Sequence, residues 1–197
     1  MSDKDVLLEV TSDHLNTGMR GVPVGTCRTS FVTPSEGVHY CGYPITELAA
    51  FAPEDIIYLL FNKELPTSEQ SAQIRSELAQ RATIPGDLES VLHALPTTGH
   101  PMDWLSVGIH ALGMIETTND WRSDAMNLIA RMPRLMGLVF RIREGRTENI
   151  PADDPDASLV DRFVNTLDLD GIDKEKMTRV ISTYLVLHMD HGGGNLS

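Results

Sequence analysis

Hydrophobic positions divide the chain near residue 45. Before it they follow no helical spacing, and Gly, Thr, Ser and Val dominate; the run from Gly18 to Thr26 has poor helix propensity. Thr29 to Val32 and Gly37 to Tyr40 flank Thr33-Pro34-Ser35-Glu36, which predicts a small hairpin. Two strands alone are marginal, so this hairpin must lean on a larger body.

From Pro44 onward the pattern is helical. A short helix is predicted over Thr46 to Phe51. Pro53 to Asn62 opens with Pro at a first-turn position and Glu54 and Asp55 behind it, all favourable near a helix N-terminus. Its apolar residues Ile56, Ile57, Leu59, Leu60 and Phe61 nearly encircle the helix, which predicts deep burial. Thr67 with Gln70 has the spacing of a capping box and predicts a helix to about Arg81. Further helices are predicted over Pro85 to Leu95, Pro101 to Glu116, Trp121 to Arg143, Ala157 to Leu167 and Asp173 to Asp190. Pro133 removes a backbone donor and predicts a kink or a split in the longest of these. Glu148 to Asp156 is acidic and contains Pro, which predicts a surface loop. The expected fold class is therefore all-α, with a small N-terminal β-hairpin. Residues 1–45 form an extended segment and hairpin, and residues 46–197 form the helical part.

Charge and composition narrow the function. The 197 residues hold 28 acidic and 16 basic side chains, a net charge of -12, which disfavours a nucleic-acid-binding surface. Small anions stay possible, because a local basic pocket can sit on an acidic protein. A hydrophobic content of 41% supports a real core rather than a disordered chain. Cys27 and Cys41 are too few for a disulfide framework or a four-cysteine zinc site, so a reducing compartment is expected. The polar, acidic start Met1-Ser2-Asp3-Lys4-Asp5 lacks the features of a signal or transit peptide, and no apolar run is long enough to span a bilayer. The expected location is cytoplasmic.

The densest candidate chemistry is His188-Met189-Asp190-His191-Gly192-Gly193-Gly194-Asn195-Leu196-Ser197. With a helix running to Asp190, His188 and His191 would share a face at i, i+3 spacing. Three glycines remove bulk and let a backbone approach a ligand, whereas a helix C-cap needs only one. A metal held by His188, Asp190 and His191 would strain one helical turn. Protonated imidazoles donating to an oxygen-rich anion are the better reading. His100-Pro101-Met102-Asp103 begins a helix, and His100 or Asp103 is expected to cap it. Leu167 to Gly171 fails the register of a calcium loop.

That C-terminal stretch, taken with earlier ones, resembles citrate synthase. Gly21-Val22-Pro23-Val24-Gly25-Thr26 through Ser30-Phe31-Val32 is similar to the family's opening segment and hairpin. Tyr40-Cys41-Gly42-Tyr43-Pro44-Ile45 resembles its Tyr-Arg-Gly-Tyr segment, with Cys41 in place of the usual Arg. Tyr58-Leu59-Leu60-Phe61-Asn62-Lys63-Glu64-Leu65-Pro66, His100-Pro101-Met102-Asp103 and Ala130-Arg131-Met132-Pro133 follow in family order, and the His/Gly stretch comes last.

The resemblance implies a citrate-synthase-like large domain, incomplete at its C-terminus, from a homodimeric enzyme. Its reaction is acyl transfer with conversion of acyl to alkyl: acetyl-CoA, oxaloacetate and water give citrate and CoA in the tricarboxylic acid cycle. It implies no metal and no cofactor, since acetyl-CoA enters as substrate. By resemblance His191 hydrogen-bonds oxaloacetate, His188 and Asn195 line the site, and Ser197 with Gly192, Gly193 and Gly194 supports it. The family's base Asp and catalytic His motifs do not occur in these 197 residues. No catalytic residue is therefore expected within them, and the chain alone is expected to be inactive. Two other readings stay open: a 2-methylcitrate synthase using propionyl-CoA, since one methylene of acyl selectivity is worth only about 1–3 kcal/mol, and a degenerate, non-catalytic binding or interaction module. A half-enzyme would also expose apolar helix faces, a liability for aggregation.

Overall fold

The computed structural model describes residues 5–17, 20, 22, 25–148, 150–154 and 156–191. The hairpin is present as β1 (Ser30–Thr33) and β2 (Gly37–Tyr40), paired antiparallel with Ser30 opposite Tyr40 and Thr33 opposite Gly37. Glu36 N–H donates to Thr33 Oγ1 at 3.0 Å, and Gly37 adopts a positive φ of 77° that closes the turn. A third strand, β3 (Tyr43–Pro44), extends the sheet to the order β1-β2-β3. The residues joining β2 to β3, Cys41 and Gly42, both have positive φ, 50° and 92°. That is the signature of a two-residue hairpin turn whose twist matches its strands.

Among the described residues eight α-helices follow: α1 (Ile45–Leu48), α2 (Pro53–Asn62), α3 (Ser68–Arg81), α4 (Gly86–His93), α5 (Pro101–Ile115), α6 (Trp121–Arg143), α7 (Leu159–Leu167) and α8 (Lys174–Leu187). The signals read from sequence reappear as bonds. Thr67 Oγ1 accepts from Gln70 N–H at 3.3 Å while Gln70 Oε1 accepts from Thr67 N–H at 2.8 Å, closing both arms of the α3 capping box. Imidazole Nδ1 of His100 accepts from Met102 N–H at 3.2 Å, so this histidine caps α5 as expected. The α6 N-cap, Asp120, accepts from the amides of Arg122 and Ser123.

One expectation is narrowed and one is corrected. Of the kink or split expected at Pro133, the split does not occur: α6 runs from Trp121 to Arg143 with Pro133 buried inside it. Packing against α7 outweighs one missing donor. The last helix ends at Leu187, three residues before the predicted Asp190, for reasons given below.

Among the described residues, three apolar clusters hold the helices together. Leu88, Leu92, Trp104, Leu112, Leu135 and Leu138 join α4, α5 and α6. Ile57, Ile74, Leu78, Met126, Ala130 and Leu159 join α2, α3, α6 and the start of α7. Tyr40, Leu48, Ile56, Leu59 and Val186 join the sheet to α1, α2 and α8, which is how the hairpin gains its support. The α6–α7 contact depends on Gly137: a Cβ built there would lie 2.6 Å from Thr166 Cγ2. Absence of that carbon lets the two helices approach closely.

The start of α7 is held by carboxylates. Buried Glu54 of α2 accepts from Leu159 N–H at 2.7 Å, satisfying a donor that the helix itself leaves open. Asp161 is bound by Ser158 on its own helix and by Thr178 of α8, at 2.6 and 2.8 Å. Together α2, α7 and α8 form one frame, and the end of α8 is set by it.

Candidate functional site

The expected site lies where α8 ends against the sheet. Asp173 caps the start of α8 by accepting from Lys176 N–H at 3.0 Å, and Val186 near its end is fully buried. At His188 the backbone leaves the helical region, with φ -123° and ψ 11°, and its N–H bonds to Leu185 O at 3.1 Å. Met189 then packs into two apolar clusters at once. Asp190 N–H donates to the phenol oxygen of Tyr40 at 3.3 Å, and Tyr40 is fully buried. A continued helix would hold Met189 and Asp190 to its own axis. Tertiary anchors win and end it at Leu187.

This changes the geometry expected for the two imidazoles. His188 is the C-cap, and His191 lies beyond it in irregular backbone, so they do not sit on consecutive turns of one helix face. Both are exposed. His188 is nonetheless held: Nδ1 lies 2.8 Å from Tyr184 O, and the ring stacks on that of Tyr184 with centroids 4.1 Å apart. A carbonyl can only accept, so Nδ1 carries the hydrogen and Nε2 is the nitrogen left to face a ligand. His191 has the exposure a substrate ligand needs. Gly192, Gly193, Gly194, Asn195 and Ser197 lie outside the described residues.

Sequence reasoning missed the groups around this edge. Cys41 follows Tyr40 directly and sits half-buried in the β2–β3 turn. Burial raises its thiol pKa; Lys63 lowers it, while Asp190 and Cys27 raise it further. Those charge interactions bring the turn, the end of α2 and the end of α8 into one neighbourhood. Lys63 adopts a positive φ of 70° as the C-cap of α2, and its Nζ donates to Leu60 O at 2.7 Å. Arg28, Cys27, Cys41 and Lys63 line one cavity of about 370 Å³. No spacing in the sequence announces this grouping, because it joins residues far apart along the chain.

Met189 also lines a groove of about 410 Å³, together with Ile57, Phe61, Met136, Phe163 and Leu185 among others. Its walls are almost wholly apolar, so it offers nothing to a dicarboxylate. Within the described residues no helix is long and apolar enough to cross a membrane.

Comparison with known proteins points one way. Residues 18–197 match a family model described as citrate synthase, C-terminal domain. The chain is 31% identical to citrate synthase 4, mitochondrial, of Arabidopsis thaliana over 212 residues, covering 95% of this chain and 44% of that protein. The fold is similar to that of the crystal structure of citrate synthase from Thermotoga maritima, with a TM-score of 0.77, 20% identity and coverage of 91% of this chain and 47% of the other. It is equally similar to the citrate synthase of Pyrobaculum aerophilum, with a TM-score of 0.78, 22% identity and coverage of 89% and 47%. The chain thus spans less than half the length of these relatives.

Proposed function

Because the chain belongs to the citrate synthase family, we propose that it forms part of an enzyme condensing acetyl-CoA with oxaloacetate and water to give citrate and CoA. In this reading the segment after α8 is one wall of the oxaloacetate site. His191 donates to a substrate oxygen, His188 orients Nε2 toward the same space, and Asn195 lines the site. Gly192, Gly193, Gly194 and Ser197 shape and support it. The observation that supports the proposal is the anchoring of this segment: Tyr40 and Met189 fix its start, which suits a binding wall formed before substrate arrives.

The reaction sets requirements that these residues meet in part. Oxaloacetate carries two carboxylates and an electrophilic carbonyl, so it calls for several charged or strongly polar donors. Enolising the acetyl thioester calls for a carboxylate base and a donor to the developing enolate oxygen. We assign the first task in part to His191 and His188, and the second to the length of the relatives that this chain does not span. The homodimer of the family belongs to the same proposal.

A thiol-release assay with oxaloacetate and acetyl-CoA tests it. The expected result is no CoA release above the protein-free rate from the 197-residue chain. An enzyme containing these residues together with the remaining family length should release CoA only when both substrates are present. Faster release from propionyl-CoA would move the reading to a 2-methylcitrate synthase. Robust turnover by the chain alone would overturn the division of labour proposed here.

A further inference from the structure

The cavity beside the proposed site contains both cysteines of the chain, which the proposed condensation does not use. Cys41 N–H donates to Thr29 O at 2.7 Å, one step beyond the last Ser30–Tyr40 pair of the ladder. Cys41 Sγ lies 3.6 Å from that same carbonyl oxygen. From the other direction Cys27 Sγ lies 3.3 Å from Thr29 Oγ1. Both sulfurs therefore gather around one residue and line one cavity of about 370 Å³, with Lys63 and Arg28 on its walls.

We propose that Cys27 and Cys41 form an oxidisable dithiol site that takes a low-molecular-weight disulfide and closes into an intrachain bridge. Cys27 is exposed and stands in irregular backbone just before β1, so it is the thiol that an incoming reagent meets. Its thiolate attacks one sulfur of the reagent. The reagent's S–S bond breaks, one thiol leaves with the electron pair and takes up a proton, and a mixed disulfide remains on Cys27. Cys41 then gives up its proton and attacks the Cys27 sulfur, expelling the second reagent thiol. The two protein thiols are oxidised and the reagent is reduced to two thiols, so atoms and electrons balance. Burial, with Asp190 and Cys27, holds the Cys41 thiol above its usual range, and Lys63 beside it offsets this in part, so the second step is the slower one.

A disulfide needs Cα atoms about 4.4–6.8 Å apart. Residues 25–29 carry no helix or strand that would resist the adjustment. Closure would tie this segment to the Cys41–Gly42 turn, next to the Tyr40 that holds Asp190. The bridge would thus fall directly against the start of the His/Gly segment.

The test is equilibration of the 197-residue chain with oxidised and reduced glutathione, followed by peptide mapping with mass spectrometry. The expected product is one chain lighter by two hydrogens, with its peptides joined through Cys27 and Cys41. Cys41→Ser should stop at a glutathione adduct on Cys27, and Cys27→Ser should react roughly tenfold more slowly because the remaining thiol is half-buried. Peptide mapping of the unsubstituted chain stands without either variant. Cross-links between two chains, lasting adducts on both cysteines, or no reaction in a buffer that fully oxidises an exposed model dithiol would each overturn the proposal.

Discussion

The amide of Asp190 donates to the phenol oxygen of Tyr40 at 3.3 Å, across 150 positions of sequence. One partner closes the hairpin's second strand and the other begins the segment carrying His191. Tyr40 is fully buried, so its ring is a fixed point of the core while its hydroxyl reaches the site. Tyr40→Phe should keep the ring packing and lose the bond, costing about 1 kcal/mol. Urea melts should show that loss, and hydrogen exchange should show faster exchange at the Asp190 amide. An unchanged exchange rate would mean that the bond does not hold this segment.

Glu54 is 2% exposed and accepts from the Leu159 amide at 2.7 Å. Glu54→Ala leaves that donor at the α7 N-terminus without its partner and should destabilise the chain by about 2 kcal/mol. Glu54→Gln retains a carbonyl acceptor but loses the charge that favours a helix N-terminus, so a smaller cost is expected. Equal losses by denaturant titration would mean that packing, not the bond, sets the cost.

Gly137 faces Thr166, whose Cγ2 and Cβ would stand 2.6 and 2.7 Å from an added methyl. Gly137→Ala should cost about 1–3 kcal/mol through overpacking, despite the better helix propensity of Ala. Thr166→Ser removes the nearer carbon and keeps the hydroxyl that donates to Arg162 O at 2.7 Å. In a double-mutant cycle the pair should therefore be less destabilising than the sum of the single changes. Strict additivity would mean that Thr166 Cγ2 is not the atom that sets the cost.

The Asp124 carboxyl has its pKa lowered from the ordinary 3.8, first by the Thr118 hydroxyl and then by the Thr118 amide. A folded-state pKa below the unfolded one contributes stability above the unfolded value, and that contribution is lost as pH falls through the lowered one. Thr118→Val should therefore be less stable than the parent at neutral pH. The difference should shrink on acidification below 3.8, as both forms become protonated. Melting the pair at a series of pH values checks the sign; a gap that widens in acid would contradict it.

Local chemistry made several helices legible in advance. Pro53 marked the start of α2, because a proline at the first turn has no N–H to leave open, and Thr67 with Gln70 marked α3, because each accepts from the other's amide. What escaped was decided at a distance. The strand β3 is only two residues long and contains Pro44; it exists because Cys41 and Gly42 turn the chain back onto β2. α8 ends at Leu187 rather than Asp190 because Met189 is drawn into two clusters and Asp190 onto Tyr40. Of the candidate site, His188 and His191 were legible as a motif. The nearness of Asp190 to Cys41 and Lys63 was not, since no periodicity links the end of α2, a β-turn and the end of α8.

The most direct test of the account is an oxaloacetate titration of the chain followed by NMR of its histidine rings. His100 is the internal reference, since it is committed to capping α5. An oxaloacetate wall at the end of α8 predicts saturable shifts at His191, smaller ones at His188, none at His100, and loss of the His188 response in His191→Ala. Equal responses from all three rings, or none at His191, would contradict an oxaloacetate wall at the end of α8.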